Sequence, residues 1–375
     1  IIKGSGNQSL LNNSFYPQPS QVYINGIYKD SCKVFCELEL EENNVTLLFN
    51  DKIESCERMF SESDNLLQID LSNFDFSNIT SMVFMFGNYF NLKNINFGKI
   101  NTSSVYNMKG LFYKCQNLKY LNLSNFDTSL VSTMEGMFYN CTNLLSIDVS
   151  NFNTSNVKSL RILFYRCSKL ESLGLSNFDT SLVTTMEAMF YSCSTLSSIN
   201  ISNFNTKNLE VMRYLFYKCS NLISLDISNF DTSKVITLDY LFANCTLIKT
   251  INLGVMNTSS VISMNSIFCY CHALESIDLS SFNTTSVTIM KWMFFHCYSI
   301  KKIIISETFN TSNVVSMYSM FSHCRSLISL NLSTFDTTKV TEMCFMFNNC
   351  SSLKYLDISH FSPVNITTIE KMRSE

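Results

Sequence analysis

The sequence predicts an α/β repeat solenoid, in which each coil of about 26 residues contributes one parallel strand and one short helix. Three observations lead to this prediction. One pattern recurs along almost the whole chain, its apolar positions alternate in one segment, and they recur every three to four residues in another. NFDTSLV at residues 125–131, for example, returns letter for letter at 177–183. We expect about twelve coils.

The first 50 residues lack the repeat, and we predict that residues 1–50 form an N-terminal β cap. VYINGIYK, residues 22–29, places Asn-Gly between alternating apolar residues, which is a strong hairpin signal. FCELELEENNVTLLF, residues 35–49, is typical of two further strands around a polar turn. A solenoid needs such a cap because its end exposes core and strand edges. A separate binding module in residues 1–50 is the alternative interpretation.

Residues 51–375 are predicted to form the solenoid, and each unit divides into a strand, a corner and a short helix. The L-x-L segment alternates as a strand does, whereas V-x2-M-x2-M-F has helical spacing. Between them, [DN]-T-S supplies side-chain oxygens of the kind that cap a helix N-terminus. One unit alone buries too little apolar surface to offset the entropy of ordering it, so only the stacked array is stable. Because KMRSE lies part-way through a unit, we expect a solenoid that continues beyond residue 375 or is open there.

The complete pattern carries a resemblance to a known family. C-x2-L-x2-L-x-L-S-x-F-[DN]-T-S-x-V-x2-M-x2-[ML]-F-x2-C resembles the BspA-like leucine-rich repeats of bacterial and protist surface proteins, the mycoplasma-lipoprotein or DUF285 type. The resemblance covers about residues 51–375 and implies a leucine-rich-repeat solenoid, a cell-surface or secreted location and a role that is often adhesion. It implies no enzyme. This chain differs in the regularity of its cysteines and in the frequent Asn in place of the Asp of FDTS.

Cysteine recurs at one position of the repeat, and we expect a structural ladder of buried thiols packed as small hydrophobes. Side chains stacked in this way hold their Cβ atoms about 4.8 Å apart, beyond the usual disulfide range. The ladder residues are Cys115, Cys141, Cys167, Cys193, Cys219, Cys245, Cys271, Cys297, Cys324 and Cys350. A one-dimensional stack does not supply four tetrahedral ligands, so no zinc is expected, nor any metal where His296 and His323 would stack. A cap disulfide is predicted among Cys32, Cys36 and Cys56, with simple packing as the alternative for Cys56.

Asp and Asn alternate along two rows that face away from the core. The row inside L-x-L is interpreted as a device for solubility and ladder stability, or alternatively as a binding face for a polar partner such as a glycan. The row after the core Phe often places Asn before T-S or T-T, which creates N-glycosylation sequons. If a eukaryote secretes the chain, we expect N-linked glycans first at Asn101, Asn153, Asn257, Asn283 and Asn310. Further candidates are Asn78, Asn122, Asn140, Asn200, Asn244, Asn331 and Asn349.

A third row is aromatic. It consists of Tyr113, Tyr139, Tyr165, Tyr191 and Tyr217, which follow the core Phe in successive coils. These residues would form a stripe about 20 Å long. Tyrosine suits a half-exposed contact surface because it combines an apolar ring with a hydroxyl. The stripe either seals the layer by packing on its neighbours or forms a contact site for a protein or a sugar.

The composition of the chain excludes several classes of function. A net charge of −3 without a basic block argues against nucleic acid, and no apolar stretch is long enough to span a membrane. No nucleophile, base and orienting residue stand together, so we expect no enzyme and no cofactor. The predicted function is adhesion or surface recognition by an extracellular or cell-surface protein, through protein or glycan contacts. The alternative is a structural glycoprotein protomer that stacks end to end with its own copies into a filament or coat.

Overall fold

The computed structural model describes residues 1–61 and 65–362, which fall into two compact units that divide between Asp179 and Thr180. The first unit begins with seven short antiparallel strands, β1 Ile2–Lys3, β2 Gly6–Ser9, β3 Gln21–Ile24, β4 Ile27–Tyr28, β5 Phe35–Leu38, β6 Glu42–Asn43 and β7 Val45–Leu48. β1 pairs with β6, β2 pairs with β5, and β3 lies between β4 and β7. This antiparallel region precedes the first coil.

The predicted hairpin is confirmed. Tyr23 of β3 lies opposite Tyr28 of β4. Asn25 and Gly26 connect the two strands with φ angles of 51° and 81°. Two positive φ angles in succession are what the favoured two-residue hairpin turn requires, and Asn-Gly adopts them readily. The segment at 35–49 forms three strands rather than two, and its longer members, β5 and β7, pair with β2 and β3 and not with each other.

The coils contribute parallel strands of three residues each. They are β8 Gln68–Asp70 and β9 Asn94–Asn96 in the first unit, and β10 Ser224–Asp226, β11 Thr250–Asn252, β12 Ser276–Asp278, β13 Lys302–Ile304, β14 Ser329–Asn331 and β15 Tyr355–Asp357 in the second. Pairing joins β8 to β9, β10 to β11, β12 to β13 and β14 to β15, with residues one repeat apart in register. In β10, Leu225 is buried and Asp226 is exposed, as the alternating pattern predicts.

The predicted helix in each coil is wrong, since no helix occurs among the described residues. The V-x2-M-x2-M-F segment forms turns whose N–H groups donate to the next coil. In one coil, Met82 donates to the Asn107 carbonyl at 2.9 Å and Phe84 to the Lys109 carbonyl at 2.9 Å. Phe84 itself has a φ of 48°, and the later coils repeat this left-handed position. A right-handed helix excludes such a residue and bonds within its own segment, so these turns replace it.

Each unit has a core built around a column of phenylalanine rings. The rings of neighbouring coils are stacked with centroids 5.2 to 5.9 Å apart. The columns are Phe60, Phe86, Phe112, Phe138 and Phe164 in the first unit, and Phe190, Phe216, Phe242, Phe268, Phe294, Phe321 and Phe347 in the second. Every ring is buried, so this column supplies a large part of the apolar burial that a single repeat lacks.

Candidate binding surfaces

A buried threonine column fastens the corners of successive coils. The Thr128 hydroxyl donates to the Asn153 carbonyl at 3.0 Å and accepts the Asn153 N–H at 2.7 Å. Thr180 bridges both backbone groups of Asn205 in the same way, at 3.0 and 2.8 Å. The sequence pattern had suggested caps for a helix here. The available signal was the constancy of this Thr, which stays the same from residue 102 to residue 337 while its neighbours vary.

Two rows of Asp and Asn side chains face outward, and a local hydrogen bond fixes each side chain. In the row of the strands, Asp226 Oδ1 accepts the Ser228 N–H at 2.9 Å. In the row of the corners, Asp231 Oδ1 accepts the Ser233 N–H at 3.0 Å. Hydrogen bonds from Ser228 also hold the pKa of Asp226 below its ordinary value, so this carboxylate stays ionised at neutral pH.

Amides separate the carboxylates along the row of the strands. Asn96 Nδ2 donates to Asp70 Oδ1 at 3.3 Å, and Asn252 Nδ2 donates to Asp226 Oδ2 at 3.1 Å. These pairs span one coil and connect an amide donor to a carboxylate acceptor. The alternation therefore replaces the repulsion that two stacked carboxylates would suffer with a favourable contact.

The ten ladder cysteines are free thiols, and all are buried except Cys350, which is partly exposed. Their S–H groups do more than fill space. Cys141 Sγ donates to the Phe112 carbonyl at 3.1 Å, and Cys219 Sγ donates to the Phe190 carbonyl at 3.1 Å. Burial raises the pKa of both Cys141 and Cys219 to about 12. The ladder is consequently protonated at neutral pH and poorly nucleophilic.

Cysteines outside the ladder take different states. Cys32 and Cys36 form a disulfide with their Cα atoms 5.0 Å apart. Cys56 is a free, buried thiol, and burial raises its pKa to about 12. In the described ranges, no group of three or more His, Cys, Asp or Glu residues is arranged to hold a metal ion.

The tyrosines of the predicted stripe form stacked columns. In the first unit, ring centroids lie 4.4 Å apart for Tyr113 and Tyr139 and 4.6 Å apart for Tyr139 and Tyr165. In the second unit, Tyr191 and Tyr217 are 4.6 Å apart. Each ring covers a face of the next, so ring edges and hydroxyls are what a column presents to solvent. A sugar could not lie flat on Tyr139, because both of its faces are occupied.

Cations lie along these columns. Lys114 Nζ is 5.4 Å from the centre of the Tyr113 ring, and the Arg166 guanidinium carbon is 5.8 Å from that of Tyr165. Such contacts stabilise the surface by cation–π attraction. Burial, together with the neighbouring tyrosines, raises the pKa of Tyr113, so its hydroxyl stays protonated.

A cluster of histidine and tyrosine side chains lies on the second unit. His296 and His323 stack with ring centroids 4.1 Å apart, and His272 stacks on Tyr298 at 4.6 Å. The Arg325 guanidinium carbon lies 4.7 Å from the centre of the Tyr298 ring. Burial is the largest cause that lowers the pKa of His296, to about 4, and the repulsion that a protonated His296 would meet from His323, His272 and Arg325 adds to it. The cluster is therefore neutral at neutral pH and opposes protonation.

A groove of about 1140 Å³ lies in the first unit, beside β7. Phe49 and Phe74 are among its lining residues, with ring centroids 6.4 Å apart in an edge-to-face contact. The carboxylates of Asp51, Asp70 and Asp75 stand around it. A concave site lined by apolar and aromatic side chains with a few polar groups is the usual form of a binding pocket. The sequence held no local signal for it, because its walls come from the antiparallel region and from the first coils.

The sequon asparagines differ in exposure. Exposed members are Asn101, Asn122, Asn153, Asn200, Asn257, Asn331 and Asn349, and half-buried members are Asn78, Asn140, Asn244, Asn283 and Asn310. Asn153 Oδ1 accepts the Ser155 N–H at 3.0 Å. This bond uses the oxygen and leaves Nδ2, the atom to which a glycan would be attached, on the other side of the amide.

Comparison with known proteins identifies the family of the repeats. The family model described as "Mycoplasma protein of unknown function, DUF285" matches residues 54–147, 143–248, 219–306 and 290–375. The chain belongs to this family. The BspA-like resemblance of its repeat is thereby confirmed. No curated protein matches the DUF285 chain.

Solved structures that are similar to this chain include three bacterial proteins. A leucine-rich cell surface protein from Faecalibacterium prausnitzii is 15% identical, with 83% of this chain and 87% of that chain covered and a TM-score of 0.29. A leucine-rich-repeat protein from Leptospira interrogans is 14% identical, with 82% and 81% covered and a TM-score of 0.26. An internalin from Listeria monocytogenes is 14% identical, with 72% and 81% covered and a TM-score of 0.28.

In the described part of the DUF285 chain, no helix has the length and apolar character that a membrane span requires.

Proposed function

We propose that this chain is a non-enzymatic extracellular or cell-surface protein that recognises a protein or glycan partner, as an adhesin does. The observation that carries the proposal is the preorganisation of the outward rows. In three successive coils, Oδ1 of Asp226, Asn252 and Asp278 accepts an N–H two residues later, at 2.8 to 3.2 Å. Side chains that are already fixed lose little conformational entropy when a partner binds.

The chemistry of these rows suits a polar partner. They present carboxylates and amides at intervals of about 4.8 Å, the spacing of neighbouring strands. Hydrogen bonds from Ser228 and Ser280 lower the pKa values of Asp226 and Asp278. Ionised carboxylates and amide groups pair with the hydroxyl and amide groups of a glycan or of a polar protein surface.

Binding of the native chain to immobilised glycans and purified extracellular-matrix proteins tests this proposal. We expect at least one probe to bind. The double variant that carries Asp226→Ala and Asp278→Ala should bind that probe about tenfold more weakly or worse, a loss of about 1.4 kcal/mol or more in binding free energy. Asp231→Ala tests separately whether the row of the corners contributes. Asp30→Ala, which removes an exposed carboxylate outside both rows, is the control. The proposal is contradicted if the double variant binds as well as the native chain, or if no probe binds the native chain.

A structural protomer that stacks end to end is the second candidate. The uniformity of the outward rows favours it, because the same hydrogen bond, from an N–H two residues later to an Asp or Asn side chain, recurs from coil to coil. A uniform surface discriminates poorly among partners but suits a building block. N-linked glycans on exposed residues such as Asn101 and Asn153 would then cover the outside of a filament.

Residues 1–50 are assigned the role of a cap for the solenoid of residues 51–375. Two contacts support this assignment. Lys3 N–H donates to the Asn65 carbonyl at 2.7 Å, and Asn12 N–H donates to the Met59 carbonyl at 2.9 Å. These bonds satisfy backbone groups of the first coil that would otherwise face solvent.

A further inference from the structure

β7 is an edge strand with a free side. It pairs with β3, where Asn25 N–H donates to the Asn44 carbonyl at 2.8 Å and Ser20 N–H donates to the Leu48 carbonyl at 2.7 Å. In an antiparallel pair, alternate residues point their N–H and C=O groups to the same side. The backbone groups of Val45 and Leu47 therefore point away from β3. Within residues 1–61 and 65–362, no group pairs with them.

This free side borders the groove, since every residue of β7 lines the groove and no residue of β3 does so. All three residues of β8 line the groove as well. Leu71 N–H donates to the Asn96 carbonyl at 2.7 Å, so the odd-numbered residues of this strand point toward β9. The even-numbered residues therefore point the other way, toward the antiparallel region. There the Gln68 carbonyl accepts the Ile1 amino group at 2.7 Å, and the backbone groups of Asp70 point to the same side. Two strand edges thus border one groove.

The edge of β7 lacks the protection that exposed edges usually carry. Val45, Thr46, Leu47, Leu48 and Phe49 include no charge and no proline, and Leu48 is 42% exposed. Soluble proteins normally blunt such an edge with lysine, proline, a bulge or a covering segment. A groove beside an unprotected edge favours an occupant that is itself a strand.

We propose that an extended polypeptide segment of a protein partner binds in this groove by strand addition to β7. Its backbone pairs with the N–H and C=O groups of Val45 and Leu47, and every second side chain packs against the rings of Phe49 and Phe74, which line the groove. This inference deepens the proposed recognition function, because it assigns one site to a protein segment with alternating apolar residues.

Charge adds a preference at the remaining positions of the segment. Asp51, Asp70 and Asp75 border the groove, and Lys52 is the single basic side chain among the described residues that line it. Hydrogen bonds from Ser72 and Ser77 lower the pKa values of Asp70 and Asp75, so both are ionised at neutral pH. The segment should therefore carry Lys or Arg between its apolar residues.

The test uses a phage-displayed library of random linear peptides, selected on the native chain. We expect enriched peptides with apolar residues at every second position and basic residues between them. Leu47→Pro removes one outward N–H and leaves the pairing with β3 intact, because edge strands tolerate proline. It should weaken the best peptide about tenfold. Leu47→Val keeps the N–H and is the matched control. Leu47→Lys is the second variant, for the case that Leu47→Pro fails to fold. It leaves the backbone unchanged but adds a positive charge at the edge, so it should weaken the binding of a basic peptide.

The outcomes separate this inference from the wider proposal. Peptides that lack the alternating pattern, or that bind Leu47→Pro and Leu47→Lys as well as the native chain, overturn strand addition. If such variants still bind a glycan or matrix probe, recognition stands and the edge does not serve it. Neutral oligosaccharides that bind in a Phe74-dependent manner would instead assign the groove to sugars. If the native chain forms dimers and Leu47→Lys dissociates them, the edge belongs to a second copy of the chain. Either the sugar result or the dimer result overturns the inference.

Discussion

The buried threonine column allows a sharp prediction about stability. Thr128→Val preserves the shape of the side chain but removes its hydroxyl, which bonds the Asn153 carbonyl and N–H at 3.0 and 2.7 Å. Losing a hydrogen bond and leaving buried groups unpaired costs about 1–3 kcal/mol per group. For two groups we expect a loss of about 2–6 kcal/mol. Thr128→Ser keeps both bonds and removes one methyl, so it should cost only about 1 kcal/mol.

Hydrogen exchange of the Asn153 amide measures this effect locally, which matters because a repeat array need not unfold in one step. Exchange at Asn153 should be faster by about 30- to 20,000-fold in Thr128→Val, and by about fivefold in Thr128→Ser. Peptides from coils of the second unit serve as the internal control and should be unchanged. Equal exchange rates in the two variants would refute the bridging role of the hydroxyl.

Three further predictions concern the core, the histidine cluster and the thiols. Phe242→Ala, in the middle of a ring column, should cost about 3–5 kcal/mol and raise hydrogen exchange first in the adjacent coils; an even rise along the chain would contradict nearest-neighbour stability. The folded pKa of His296 is lowered from 6.5 to about 4, so stability present above pH 6.5 should be lost as the pH falls toward 4. In denaturation at several pH values, the free energy of unfolding should depend less on pH in His296→Gln than in the native chain. An unchanged pH dependence would contradict the lowered pKa of His296. Of the 13 free cysteines, Cys350 should be the first that a thiol reagent labels in the native chain, with all 13 labelled after unfolding; comparable native labelling of Cys141 or Cys219 would contradict their burial.

The repeat and its strands could be predicted from the sequence because they depend on local periodicity. Alternation in L-x-L correctly placed Leu225 inside and Asp226 outside. The Asn-Gly hairpin followed from the φ angles that its turn demands. Both features require only neighbouring residues, so the pattern contains the whole signal.

The helix prediction failed because two backbone paths share one apolar pattern. Spacing of three to four residues brings Met and Phe to the core on a helix, but a series of tight turns does the same. The turns differ in their left-handed residues, and Gly110 and Gly136, with φ angles of 60°, mark that position. Elsewhere it is filled by residues such as Ile162 or Trp292, which hide the signal.

The groove could not have been predicted because its walls are distant in sequence. Leu47 belongs to the antiparallel region and Asp70 to the first parallel pair, and no short motif links them. The apolar run at 45–49 was visible, but whether its edge would be covered depends on where the next elements lie. Surfaces assembled from different elements generally escape pattern reasoning for this reason.

Negative-stain electron microscopy of the native chain tests the central claim, that the solenoid acts by recognition. We predict isolated particles at micromolar concentration, with the strand rows and the groove available to partners. Long filaments whose repeat equals one stacked chain would contradict recognition as the main role. They would favour a structural protomer instead.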